Sequence, residues 1–210
     1  MKKITVTDAT LRECARRGDI ALSFKEKLEI AKLLDKLNVD VIEAAPIVDE
    51  KIDTLVLRTI SPLLKNSILS CPVGSTIEEA TRAMNAISGA KKPRLVVSLP
   101  VSAVQMEYFY HKKPAQMLEL IGTLTAHCVS LCNDVEFAAV DATRAEKEYL
   151  FKVVETAIAN GAKTVTLCDT AGTLLPREFA SLIAELYESA PAAKDITLSI
   201  PISFFVIRFF

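Results

Sequence analysis

Nine polar residues stand where apolar runs of this chain end. In "ITVTDATLRE" the β-branched Ile4 and Val6 lead straight into Asp8, Arg12 and Glu13. Glu43 closes "VDVIE", Ser102 follows "RLVVSLPV", Asp141 and Arg144 follow "DVEFAAV", and Asp169 and Thr170 close "KTVTLCDT". Burying an unpaired charge is costly, so such groups persist where they are paired, solvated or used. Two uses are open for Arg12 and Glu43: a structural ion pair, or a cation and a carboxylate working on a bound molecule. Asp141 and Arg144, three residues apart at a helix start, also suit a device that steadies a turn and its dipole. Asp169 equally suits a cap for the loop that follows it.

These residues need elements that bring them to one place, and the pattern alternates strand and helix throughout. Strands are expected at 4–8, 39–46, 67–72, 94–101, 134–141, 163–170 and 195–200. Between the first two, "SFKEKLEIAKLLDKL" opens with Ser23 and Glu26 in a capping box and sets Phe24, Leu28, Ala31 and Leu34 on one face. Asn38 suits the left-handed residue that ends it. Further helices are expected at 51–65, interrupted at Pro62; after Ser75, boxed with Glu78; from about Pro114 to about Cys132; from Thr143, boxed with Glu146, to Asn160 and Gly161; and from Pro176.

Strand starts recur about every 30 residues, the size of a βαβ unit, so a parallel sheet with right-handed crossovers is expected. A doubly wound sheet that binds a dinucleotide usually has a glycine-rich first βα loop, whereas "LRECARRGD" has a single glycine. A (β/α)8 barrel places its chemistry at the C-terminal ends of its strands, where all nine residues fall. The expected fold class is therefore α/β, a TIM-type barrel. Such a barrel takes about 250 residues, and this sequence of 210 stops after strand seven, so a barrel truncated after about seven strands is expected. Residues 1–200 form the barrel domain in this reading, and 201–210, "PISFFVIRFF", a separate hydrophobic tail resembling the end of a truncated or frame-shifted frame or of a shortened natural variant.

Composition excludes several classes. Lys and Arg number 25 and Asp and Glu 26, so a net charge of -1 offers no pull toward nucleic acid or an anionic membrane. No Trp is present and aromatics are 6%, which argues against base stacking. The five cysteines, at 14, 71, 128, 132 and 168, form no C-x-x-C pair and suit reduced thiols in a cytoplasmic protein. Cys128 and Cys132, a turn apart beside His127, suit helix packing better than a soft-metal site. Cys14 has no His beside it and suits an inert role. Lys2 and Lys3 are followed by charge rather than an apolar signal core, so a soluble, non-membrane protein is expected.

"DATLREC…LSFKEKLEIAKLLDKLNVDVIEAAP" resembles the opening of the pyruvate-carboxyltransferase-like, or DRE-TIM metallolyase, superfamily, which includes 2-isopropylmalate and homocitrate synthases and 3-hydroxy-3-methylglutaryl-CoA lyase. Its opening motif is D-x-T-L-R-[DE]-G-x-Q. "FAAVDATRAEKEYL" and "TVTLCDTAGTLLPREF" are similar to two further motifs of its synthases, so the resemblance runs from about residue 4 to about 200. It implies that Arg12 steadies the negative oxygen at the reacting carbonyl, that Glu13 binds a divalent metal (Mg, Mn or Zn), and that Glu43 is a supporting catalytic carboxylate. It further implies that Thr170 holds the keto-acid carboxylate and that Asp8 orients Arg12 or Glu13, while strand-end position alone makes Ser102 and Arg144 substrate-binding candidates and Asp141 and Asp169 supports for them. The implied partners are a 2-keto acid and acetyl-CoA, and separately from the resemblance a homo-oligomer is expected. Unpaired strand edges and the apolar tail also point to self-association.

The sequence departs from the family at telling positions. Cys14 and Arg16 replace its glycine and glutamine, and Val140 replaces a glutamate. Pro201 and Ser203 stand where the synthases carry H-x-H, which supplies two imidazoles to the metal. Proline cannot ligate and a serine hydroxyl substitutes poorly. Three functions are therefore expected: an acyl-CoA-dependent synthase impaired by that loss, a carbon–carbon lyase or aldolase, or a non-catalytic remnant.

Overall fold

The computed structural model describes residues 4–16 and 20–201. Two compact units are present: one reaches Val96 and includes Leu131–Asp134, and the other comprises Val97–Ser130 and the chain from Val135 onward.

The first unit opens with β1 (Thr7–Asp8) and α1 (Thr10–Arg16), then α2 (Phe24–Lys36), β2 (Val41–Glu43), α3 (Glu50–Ile60), β3 (Ile68–Val73) and α4 (Ile77–Ile87). β1 and β2 run parallel with Thr7 opposite Val41, and β2 and β3 with Ile42 opposite Leu69 and Glu43 opposite Ser70. β1 is shorter than expected because the Val6 N–H donates to the Asp40 carboxylate, 3.0 Å away, rather than to a strand. Ile42, Leu57, Ile60, Leu69, Cys71, Ala83 and Ile87 form the buried apolar centre. Burial raises the Cys71 thiol pKa to about 12. In α2 the Ser23–Glu26 box forms, and Asn38 adopts φ 58°, as expected. Phe24, however, is exposed, and Ala31 and Asp35 are the buried residues. Asp35 accepts the N–H groups of Lys65, Asn66 and Ser67 at 3.1, 2.8 and 2.8 Å. Burial alone would raise its pKa, but these donors outweigh burial and hold it below the ordinary carboxylate value.

α4 is capped one residue later than expected, by Thr76 with Glu79. "STIEEA" offers the same spacing twice, and the Glu79 carboxylate settles the register by accepting the N–H groups of both Ser75 and Thr76. Asp49 caps α3, and Pro62 falls in a 3-10 turn just beyond it. β4 (Pro93–Pro100) begins in this unit, where the Leu69 N–H bonds to the Lys92 carbonyl, and ends in the other.

The second unit contains α5 (Ala103–Tyr110), α6 (Pro114–Leu131, all but its last residue), β5 (Val135–Val140), α7 (Lys147–Ala159), β6 (Thr164–Leu167), α8 (Pro176–Ser189) and β7 (Thr197–Ser199). β5, β6 and β7 are parallel neighbours in chain order. Leu99, Phe137, Leu150, Val153, Val165 and Leu186 are buried with Met106, Met117, Ile121 and Cys128. Tyr149 donates its hydroxyl to the Pro114 carbonyl at 2.9 Å.

Three further features differ from the sequence pattern. α1 and α5 both lie where loops were expected. α5 exists because Ser102 caps it, accepting the Gln105 N–H, and His111 closes it at φ 50°. α7 begins at Lys147 rather than Thr143, because the Thr143 hydroxyl donates to Asp169 and leaves the residues around it in a 3-10 turn. Among the described residues no helix is long and apolar enough to cross a membrane. The tail expected at 201–210 lies outside them apart from the exposed Pro201.

Candidate functional site

In a parallel sheet all strands end at one edge, so residues at strand C-termini gather within each unit. In the first unit, Asp8 at the end of β1 accepts the Thr10 N–H at 2.9 Å and thereby starts α1. α1 in turn presents Arg12 and Glu13. Asp8 thus acts on Arg12 through the helix rather than by direct contact. The Arg12 guanidinium is gripped on two sides: Nη1 donates to Glu43 at 2.6 Å, and Nε donates to Glu13 at 2.9 Å with Nη2 also 2.8 Å from that oxygen. Burial works against the charged guanidinium, yet Glu43 and then Glu13 outweigh it, and the Arg12 pKa is raised. Arg12 is a permanent cation; two of its five N–H bonds are engaged in hydrogen bonds, and Nη2 is in ion-pair contact with Glu13. One hydrogen on each terminal nitrogen is left for another acceptor.

In the second unit the centre is Asp141, fully buried and in the left-handed region at φ 62°. Its carboxylate accepts the Ser102 hydroxyl and a forked pair from Arg144, Nε at 2.8 Å and Nη2 at 2.7 Å. That pair raises the Arg144 pKa. Ser102 is itself buried, with its oxygen also accepting from α5, so it supports Asp141 and α5. The Asp141 N–H donates to the Thr170 Oγ1 at 2.9 Å. Because that oxygen is an acceptor here, the exposed Thr170 hydroxyl keeps its own hydrogen for a further partner.

Asp169 folds the loop after β6. Its carboxylate accepts from the Thr143 hydroxyl at 2.6 Å and from the N–H groups of Thr173 and Leu174, both at 3.1 Å. Burial pushes its pKa up, but Thr143 and then these N–H groups push it further down, below the ordinary value. The sequence pattern assigned Thr143 to a helix cap, and nothing local signalled its bond to a residue 26 positions away.

The metal that the resemblance implies needs several converging donors. Here one Glu13 oxygen faces the Arg12 guanidinium, with Arg16 3.7 Å away, and cations at that carboxylate oppose a divalent ion. Among the described residues no three His, Cys, Asp or Glu side chains come together. The donors among the described residues do not fit such an ion.

Known proteins bear out the resemblance. The HMGL-like family model matches residues 3–200. The 2-isopropylmalate synthase of Aquifex aeolicus is 32% identical over 200 residues, covering 95% of this chain and 38% of that protein. The Caulobacter vibrioides 2-isopropylmalate synthase (strain NA1000 / CB15N) is 34% identical over 196 residues, with 93% and 37% covered. The chain thus spans about two-fifths of the length of these relatives. Among solved structures, an HMG-CoA lyase of Bacillus subtilis superposes with a TM-score of 0.77 at 16% identity, covering 94% of this chain and 68% of that one. The hydroxymethylglutaryl-CoA lyase of Pseudomonas aeruginosa gives 0.74 at 13%, covering 92% and 66%. The fold is the α/β, TIM-type barrel arrangement expected from the strand spacing, with seven strands described here.

Proposed function

Because the chain belongs to the HMGL-like family, we propose that it binds a 2-keto acid in the manner of a 2-isopropylmalate or homocitrate synthase, whose reaction is a Claisen-type condensation with acetyl-CoA. In that reaction the enolate carbon of acetyl-CoA attacks the keto carbon, and the carbonyl electrons move onto oxygen. Later hydrolysis of the thioester releases the CoA thiol. The observation that carries the reading is Arg12, held by Glu13 and Glu43 with a hydrogen still available on each terminal nitrogen. A fixed donor of this kind favours the state in which negative charge has formed. Its planar fork cannot turn away while two carboxylates hold it.

Thr170 donates to the keto-acid carboxylate, because its oxygen is already occupied by the Asp141 N–H. Arg144, fixed by buried Asp141, adds a partly exposed cation for the same kind of group. Ser102, Asp8 and Asp169 position these groups without touching the substrate. Glu13 orients Arg12 in this chain rather than serving as a sole metal ligand.

By the resemblance, Pro201 and Ser203 stand where the family carries its two histidines, and on that ground the proposal is that this chain binds keto acid without turning it over. Titration calorimetry with 2-keto acids of graded side-chain size, paired with thiol release from acetyl-CoA, tests both halves. The expected result is saturable keto-acid binding that Thr170→Val weakens, with no thiol release. No binding by any 2-keto acid refutes the reading. Metal-dependent thiol release refutes the claim of impairment, and cleavage of a 3-hydroxyacyl-CoA assigns the chain to the lyases instead.

A further inference from the structure

α5 carries an exposed tip that the keto-acid reading does not use. Tyr108 and Phe109 are 72% and 74% exposed, although a large ring gains most by burial. His111 then reverses the chain in the left-handed conformation, with its N–H returned to the Glu107 and Met106 carbonyls. Lys112 and Lys113 follow at once, and no hydrogen bond or ion pair engages either ammonium among the described residues. Lysines after a helix C-terminus offset its dipole, but that role needs no exposed aromatic pair beside them. Glu107 is the single acid of α5, so the tip is cationic on balance.

The other end of α5 is tied to chemistry. Ser102 caps the helix and also bonds Asp141, which holds Arg144 and, through its N–H, Thr170. Tyr108 and Phe109 stand six and seven residues along the chain from Ser102, about 10 Å of helix rise. A thioester substrate of CoA has matching anatomy: a reactive sulfur at one end, a pantetheine arm of comparable reach, and a 3′-phosphorylated adenosine diphosphate at the other. Exposed rings suit a purine face, and lysines suit phosphate as point charges.

We propose that the exposed tip of α5, Tyr108 and Phe109 beside Lys112 and Lys113, docks the 3′-phosphoadenosine end of an acyl-CoA. This rests on the condensation reading above and names where its second substrate is held. The lysines take the phosphates, and the 3′-phosphate distinguishes CoA from other adenine nucleotides.

The test is calorimetric titration of the full chain with CoA and with dephospho-CoA, which lacks only the 3′-phosphate. The wild-type chain is expected to bind CoA about tenfold more tightly than dephospho-CoA. Lys112→Glu with Lys113→Glu should erase that difference, and Phe109→Ala should weaken both ligands about fivefold. Lys51→Glu with Lys91→Glu, exposed positions outside α5, controls for net charge and should preserve the preference. Circular dichroism confirms that each variant folds. A preference for CoA that survives Lys112→Glu with Lys113→Glu, or an equal loss in the control, overturns the docking site and leaves the keto-acid reading standing. A folded wild-type chain that binds keto acid but neither nucleotide overturns the docking site and the acetyl-CoA part of that reading. Failure to bind keto acid as well overturns the whole reading.

Discussion

Replacing Asp169 measures how far one carboxylate organises the loop that carries Thr170. Asp169→Ala removes the acceptor for the Thr143 hydroxyl, the Thr173 N–H and hydroxyl, and the Leu174 N–H. Hydrogen bonds to an ionised acceptor contribute about 1.5–3 kcal/mol each when buried. Asp169 is only partly buried and water can replace some of them, so the expected loss is about 2–3 kcal/mol in total. Asp169→Asn keeps an acceptor for Thr143 and Thr173 but turns an amide NH2 toward the Leu174 N–H, and should cost about 1–2 kcal/mol. Urea unfolding at neutral pH reads both, with an unchanged slope expected. The pH dependence has a definite sign. The folded pKa is depressed, so the contribution is full above the unfolded value near about 4 and is lost as pH falls through the folded value. The gap between wild type and Asp169→Ala should therefore narrow in acid. Because the loop carries Thr170, keto-acid affinity should fall with stability. An Ala variant within about 0.5 kcal/mol of wild type, with unaltered keto-acid affinity, would refute the reasoning.

Asp35→Ala should destabilise by about 2–4 kcal/mol by orphaning the Ser67 N–H and its neighbours, and urea unfolding should show this loss shrinking below about pH 4, since the Asp35 pKa is also depressed. Thiol alkylation followed by mass spectrometry at mildly alkaline pH should label the partly exposed Cys14 and Cys168 long before the buried Cys71, whose pKa is about 12. Labelling of Cys71 at the same rate would contradict its burial. Arg12→Lys retains charge but loses the fork that spans Glu13 and Glu43, so calorimetry should show keto-acid binding weakened by a few-fold, on the order of 1 kcal/mol, while the melting temperature moves little. Mn2+ or Zn2+ at millimolar concentration should leave the melting temperature unchanged, because the described donors do not converge on a cation; a rise of several degrees would contradict this.

Periodicity and caps made the strand–helix alternation legible, because each is decided within one or two turns of chain. The Ser23–Glu26 box and left-handed Asn38 appear where their residue types placed them. The same local logic was ambiguous in "STIEEA", where two equally spaced boxes compete, and structure chose Thr76. It also overlooked α5, whose weakly amphipathic residues alternate no clear face, although Ser102 and Gln105 stand at cap spacing. The strand-end rule drew all nine candidates from the sequence, and the family resemblance attached roles to them.

What the sequence by itself determined is therefore the fold class, the family and the chemical types at the strand ends, all of which rest on spacing along the chain. Tertiary structure decided which partner each group took. Arg12 meets Glu43 across 31 residues, Ser102 meets Asp141 across 39, and Thr143 leaves its expected helix cap for Asp169 across 26. The physical reason is that a hydroxyl or carboxylate has many possible partners of similar strength in an unfolded chain. Only burial beside one of them, after the strands have paired and water has been excluded, makes that partner the cheapest to keep and the others costly to retain.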